Sequence, residues 1–220
     1  VMGILNVTPD SFYAMSRQQN EKAVAERIET IIAEGGTFVD IGGYSSRPDA
    51  AEVSAEEEWN RLEPALKMLR DYYPQIPVSV DTFRADIGRR AVEEYGVALI
   101  NDISGGGMDE KMFETVARLQ VPYVLMHMRG TPQTMRQYTG YRHLIEDIML
   151  YFAERVRILG LSGVNDIIVD PGFGFSKTLE QNYELMRDLN EFSTMLEFPV
   201  LVGVSRKGMI YDLLESTAEE

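Results

Sequence analysis

Short apolar runs rich in β-branched residues recur along the chain at 2–7, 37–42, 77–82, 97–102, 122–127, 166–171 and 199–204. They are nearly continuous rather than alternating, the pattern of strands buried on both faces in a parallel sheet. Between them the apolar positions fall at helical spacing. Over 21–36, Val24, Ile28, Ile31 and Ile32 share one stripe, and the run ends at Gly35 and Gly36, a helix stop. Ser54 followed by Glu57 opens another helical run with the pattern of a capping box, and Pro64 inside that run predicts a kink or a break.

Seven strand–helix units point to an α/β fold, either a TIM (β/α)8 barrel or a doubly wound sheet. The barrel is favoured because almost every strand ends in a polar or glycine-containing turn, so reactive groups come from all around the sheet rather than from one switch point. The chain stops at "YDLLESTAEE" with only seven βα units visible. The expectation is therefore one domain over 1–220, truncated before the eighth unit. No solenoid-period repeat and no linker suggests a second domain.

Composition narrows the picture. A length of 220 residues with 45% hydrophobic content can bury a substantial core. No apolar run is long enough for a membrane span, and the start lacks the basic-then-apolar order of a signal peptide, so a cytoplasmic protein is expected. The absence of Cys removes disulfides, thiolate metal sites and a cysteine nucleophile. Thirty-five acidic against 21 basic residues give a net charge of −14, which repels nucleic acid and acidic membranes. An anionic ligand must then be held by a local cluster.

In a barrel the active site gathers at the C-terminal ends of the strands. Those ends carry Asn6, Asp40, Asp81, Asn101, His127 and Asp170. A ring of carboxylates and carboxamides suits a flat heterocycle presenting alternating donors and acceptors, and a guanidine-like N–C–N edge pairs naturally with Asp. The competing role for each is capping of the following helix, most seriously for Asp81. His127 is expected to be structural rather than a base or metal ligand. Three loops add to the ring. "GGYSSRPDA" (42–50) can wrap an anion with hydroxyl and guanidinium donors. "VGVSRKGMI" (202–210) puts Ser205, Arg206 and Lys207 at a predicted helix start, where N–H groups and the dipole favour an anion. "DPGFGFSK" (170–177) carries Phe175, able to cap a flat ligand. No Ser-His-Asp order, His-Glu-x-x-His, Walker loop or Rossmann fingerprint occurs.

With these residues in place the chain resembles the dihydropteroate synthases, folate-pathway enzymes inhibited by sulfonamides. "NVTPDSF", "PVSVDTFRADI", "INDISGG", "VLMHMRGTPQTM", "DPGFGFSK" and "GVSRKGMI" stand in the family's order and spacing. The resemblance implies a TIM barrel that condenses 6-hydroxymethyl-7,8-dihydropterin diphosphate with p-aminobenzoate, releasing pyrophosphate by an SN1-like substitution. It implies a catalytic set of Asp81, Asp170, Lys207 and Arg47. The pterin would meet Asp81, Asn101, Met126, Asp170, Phe175, Gly203 and Lys207. The diphosphate would meet Asn6, Ser46 and Arg47, with Asn6 also on a Mg2+ ion. Phe12, Ser46, Arg47, Pro48, Phe175, Lys207 and Gly208 would form the aminobenzoate pocket. A homodimer is the family expectation.

Three departures stand out. Tyr44 replaces a Glu and Ser46 a Thr in the second loop, "YAMS" follows Phe12 in place of Ser-Asp-Gly-Gly, and the unit that carries the family's pyrophosphate-binding Arg and His is not seen. Two other readings compete: a methyltetrahydrofolate-binding barrel of cobalamin-dependent methyltransferases, which needs no diphosphate pocket, and a pterin-binding but inactive fragment or paralogue.

Overall fold

A computed structural model describes residues 1–8, 17–47, 50, 52–211, 213–215 and 217. Six of the seven apolar runs form strands: β1 (Met2–Asn6), β2 (Phe38–Gly42), β3 (Val78–Asp81), β4 (Leu99–Asp102), β5 (Tyr123–Met126) and β6 (Ile167–Asp170). All pairs are parallel, and the strands follow one another in chain order across the sheet. Sequential order separates the two α/β alternatives: a doubly wound sheet reverses at a switch point, whereas barrel strands are laid down one after the next. The fold is that of a TIM barrel.

The seventh run is a correction. Over 199–204 only one bridge forms, Val169 to Val200, held by Val169 N–H to Pro199 O at 2.9 Å and Leu201 N–H to Val169 O at 2.8 Å. Beyond it Val202 is exposed, and no described strand lies on the outer side, so the ladder has nothing to extend against.

The helices are α1 (Arg17–Ala33), α2 (Ala55–Tyr72), α3 (Ala85–Tyr95), α4 (Met112–Leu119), α5 (Leu144–Leu161), α6 (Leu179–Arg187), α7 (Leu189–Leu196) and α8 (Gly208–Tyr211). Val24, Ile28 and Ile31 are buried as the stripe in α1 requires, and Ile32 packs at the margin of the same core. Ser54 caps α2, its Oγ accepting from Glu57 N–H at 3.1 Å. The Glu57 carboxylate, however, turns to Arg61, so only half of the capping box forms there. A complete box opens α6, where Thr178 and Gln181 exchange bonds. Helix α2 runs through Pro64 without a break. Asn60 and Pro64 both face solvent, so water can satisfy the carbonyl that proline leaves without a donor.

Among the described residues two apolar clusters pack. The larger joins the sheet to its helices through side chains such as Ile28, Leu62, Leu66, Val80, Tyr123 and Phe152. Each fully buried aliphatic contributes roughly 1.5–3 kcal/mol. The smaller, of Tyr44, Val53, Phe83, Ile103, Met126, Met128 and Met135 with Met108 and Phe175 against it, belongs to the ends of β2 to β5 and the loops that follow them. That is the end of the barrel where polar strand termini also gather.

Candidate active site

Asn6 and Gly42 are the last residues of β1 and β2 and stand side by side in register, and Asp81 ends β3 opposite Gly42. A Cβ placed on Gly42 would lie 3.3 Å from Asp81 Oδ2 and 3.5 Å from Asn6 Oδ1, so the missing side chain leaves room between them. Asn6, Asp81, Thr8, Tyr44, Ser45, Ser46 and Arg47 line one pocket of about 190 Å³. Three of the residues expected on the diphosphate, Asn6, Ser46 and Arg47, are thus brought together with Asp81. Phe12 and Pro48 lie outside the described residues.

Asp81 does not cap the following helix. The N-cap position of α3 is Arg84, and Ala85 N–H, the first of the helix, goes to Asp109 Oδ2 at 2.8 Å. Burial pushes the Asp81 carboxyl well up, and the charges of Asp40, Glu58 and Asp102 push it further. Asp40 sits deeper, in the middle of β2 rather than at its end, and is also raised by burial. Its Oδ2 accepts from Asn101 Nδ2 at 2.9 Å, while its Oδ1 and the hydroxyl of Ser79, its neighbour across the ladder, have no conventional hydrogen bond. Carboxyl oxygens that the fold leaves unpaired in an interior position, as on Asp40 and Asp81, are ready to receive a ligand's N–H groups.

The other wall comes from β6 and the seventh run. Asp170 ends β6 and spends one oxygen on its own turn, accepting from Gly172 N–H at 2.8 Å. Burial raises its carboxyl, and Lys207 and Lys177 pull it back down. A Cβ on Gly203 would lie 3.9 Å from Lys207 Nζ and 4.0 Å from Asp170 Oδ2, so the bare backbone of the seventh run faces an acid and a base together. Lys207 donates to Phe173 O and stands 4.9 Å from the Phe175 ring centre. Burial lowers its ammonium and Asp170 opposes that shift. Phe175 in turn packs on the cluster containing Met126. Of the residues expected on the pterin, Asp170, Lys207, Gly203 and Phe175 form one wall, Met126 lies behind them, and Asn101 reaches Asp40 across the sheet.

Sequence motifs and geometry meet in the comparisons with known proteins. The model of the pterin binding enzyme family matches residues 2–220. A dihydropteroate synthase from Synechocystis is 42% identical over 217 residues, covering 98% of this chain and 74% of that protein. The chain belongs to the dihydropteroate synthase family. The folic acid synthesis protein fol1 of Pneumocystis carinii is 45% identical over 213 residues, 94% of this chain but 28% of that protein, so this chain spans under a third of its length. The crystal structure of the Clostridium difficile dihydropteroate synthase FolP, determined with pteroic acid, superposes with a TM-score of 0.90 at 33% identity, covering 99% of this chain and 80% of that one.

Within this family frame one expectation changes and one holds. Ser205, Arg206 and Lys207 do not open a helix: they form a turn with Arg206 at φ 55°, and α8 begins only at Gly208 and lasts four residues. Ser205 and Arg206 instead share with Arg47 a cavity of about 770 Å³ beside β1. His127 is structural, as expected. It is 1% exposed, stacks edge-on against Tyr151 at 4.7 Å, and burial with the nearby cations lowers it to about 2.

Lys177 escaped the sequence reading. It is 9% exposed, and its Nζ meets Gly172 O at 2.9 Å, Phe175 O at 3.0 Å and His127 Nδ1 at 3.1 Å. Burial brings its ammonium down to about 7. It therefore pins from beneath the loop that carries Phe175. The signal in the sequence was a lysine closing an otherwise apolar "GFGFSK", a long charge where the chain turns inward.

Among the described residues no three His, Asp or Glu side chains converge as a metal cage. The oxygen set of Asn6, Ser46 and Asp81 suits a hard cation that arrives with phosphate oxygens and keeps its own waters, as Mg2+ does.

Proposed function

We propose that the chain is the catalytic barrel of a dihydropteroate synthase, a transferase that joins 6-hydroxymethyl-7,8-dihydropterin diphosphate to p-aminobenzoate to give 7,8-dihydropteroate and pyrophosphate. The observation that carries this reading is the juxtaposition of Asp81, a carboxyl raised by burial and given no hydrogen bond by the described residues, with a hydroxyl- and arginine-lined pocket at the same strand ends. Acids take the heterocycle, and the adjoining pocket takes its anionic tail. Family membership and the pteroic acid in the FolP structure support the same substrates.

In the proposed reaction Asp81, Asn101 and Asp170 accept and orient the N–H groups of the pterin edge, and Lys207 with the Gly203 backbone meets its carbonyl side. Met126 and Phe175 pack on the ring. Asn6, Ser46 and Arg47 hold the diphosphate, and Asn6 would share a Mg2+ ion that neutralises the leaving anion. The C–O bond to the diphosphate breaks first and the electron pair leaves with pyrophosphate. The positive charge left on the methylene and its conjugated ring is stabilised by the carboxylates of Asp81 and Asp170, fixed before the reaction starts. The arylamine nitrogen, in a pocket of Phe12, Ser46, Arg47, Pro48, Phe175, Lys207 and Gly208, then forms the C–N bond and gives its proton to solvent. Sulfonamides, which share the arylamine, would compete there.

A second copy of the chain is the proposed partner, through the exposed Leu150, Ile158 and Leu161 of α5 and Met195 of α7. No helix among the described residues is long and apolar enough to cross a membrane, and a cytoplasmic location is part of the proposal. The test is stoichiometric. Purified protein given both substrates and Mg2+ should release one pyrophosphate per dihydropteroate formed; pyrophosphate without product, or neither, would overturn the reading.

A further inference from the structure

Tyr44 stands where the resemblance leads one to expect glutamate, and its surroundings give the phenol a definite task. The side chain is 8% exposed. Its ring meets Phe83 edge-on, with centres 5.0 Å apart and planes at 87°. The Arg84 guanidinium lies 4.7 Å from the Phe83 ring centre and 5.5 Å from that of Tyr44. Arg84 is itself anchored by the fully buried carboxylate of Glu58 and by the Val53 carbonyl, and Glu58 accepts from Thr82 Oγ1 at 2.7 Å. The base of Tyr44 is therefore fixed by α2 and by the loop after β3. A carboxylate at position 44 would add another buried negative charge close to Glu58, whereas a neutral phenol does not.

The far end of Tyr44 reaches a third element. Its hydroxyl oxygen accepts from Gln133 Nε2 at 2.7 Å, a bond between residues 89 apart in the chain, joining the loop after β2 to the loop after β5. Ser45, Ser46 and Arg47 follow Tyr44 directly and line the pocket with it. The bond within this stretch is slight, Arg47 N–H to Ser45 Oγ at 3.4 Å. The loop is also held at Gly43 O by Arg61 at 3.1 Å and at Arg47 O by Ala50 N–H at 3.0 Å, and Tyr44 supplies its side-chain tie to the loop after β5.

We propose that Tyr44 and Gln133 form a clamp that fixes the Ser45–Arg47 stretch over the barrel mouth, making Tyr44 a positioning residue for the anionic half of the first substrate. This rests on the synthase reading for the identity of that substrate. The clamp itself requires only that the pocket bind a diphosphate-like anion.

The test uses Tyr44→Phe, which removes one oxygen, Gln133→Leu, the double variant, and Gln133→Glu, whose carboxylate can accept a hydrogen bond from the phenol O–H and restore the bond in the opposite direction. The readouts are the dissociation constant of inorganic pyrophosphate by calorimetry and the KM for the pterin diphosphate. Tyr44→Phe and Gln133→Leu should each weaken both by about fivefold, the worth of one hydrogen bond. The double variant should be no worse than either single, and Gln133→Glu should recover most of the loss. Unchanged constants in the singles, independent additive losses in the double, or no recovery with Gln133→Glu would each overturn the clamp. A general loss of fold integrity would not reverse with Gln133→Glu. If the unaltered protein makes no dihydropteroate yet pyrophosphate binding follows this pattern, the synthase reading fails and the clamp stands; normal turnover with unmoved pyrophosphate constants gives the reverse.

Discussion

Two aspartates end neighbouring strands and have opposite fates. Asp102, at the end of β4, is fully buried and accepts from Ser104 N–H and Oγ–H at 2.7 Å each, from Gly106 N–H at 2.8 Å and from Tyr123 O–H at 2.7 Å. Asp81, at the end of β3, faces a pocket, and among the described residues no hydrogen bond opposes the burial and like charges that raise it. The same residue type at the same kind of position is a structural cap in one case and an open receptor in the other. What separates them is whether the following turn folds back onto the carboxylate. After β4, "SGGG" does so. After β3, "TFRA" leads away to pair with Glu58 and Asp109.

The contrast breaks most sharply under substitution. Asp81→Asn should lower kcat/KM by about 10²–10³ in a steady-state assay, the scale of losing one preorganised electrostatic group, without lowering Tm. The sign follows from its raised carboxyl: the folded state disfavours the charge, so its contribution to stability is greatest below the ordinary value near 3.8 and is lost as pH rises through the folded value. Asp102→Ala should do the reverse, costing about 1–3 kcal/mol in denaturant unfolding because it strands buried donors, with kcat/KM near that of the unaltered protein where both are folded. An Asp102→Ala protein that is stable but inactive would erase the distinction.

Smaller effects sharpen it. Lys177 is held at about 7, against an ordinary value near 10.5, so between those values the unfolded chain keeps a proton that the folded one releases. Stability should therefore rise with pH across that window through this group, by at most about 1.4 kcal/mol per pH unit, and Lys177→Met should flatten the slope in unfolding titrations. Pterin binding should weaken as pH falls through the raised value of Asp81, with proton release on binding in that range. Calorimetry in buffers of different ionisation enthalpy measures it, and Asp81→Asn should abolish it.

Much of this was legible beforehand, and the illegible part has a pattern. Strand positions, the α1 stripe and the polar strand ends at Asn6, Asp81, Asn101 and Asp170 are local signals, written within a few residues of one another. The division of labour between Asn101 and Asp102 was not, since both sit at the end of one apolar run and only the path of the next turn tells them apart. Lys177 with His127, and Tyr44 with Gln133, are bonds between residues 50 and 89 apart, and no local pattern announces them. The seventh strand was overestimated because apolar content reports burial, while a ladder also needs a neighbour.

Gly172 sits at φ 73°, and a Cβ added there would fall 2.2 Å from the carbonyl oxygen of His127. That oxygen is backbone, in the residue that follows β5, and cannot turn aside as the end of a flexible side chain would. In evolutionary terms the floor of the site is closed to amino-acid replacement at this position, because any residue other than glycine brings a Cβ into main chain. Ser46, half-buried, and Arg47, exposed, carry no such restriction. Drift in ligand preference, including escape from an arylamine mimic, therefore has to enter by the rim, through the loops that the Tyr44 hydroxyl holds together.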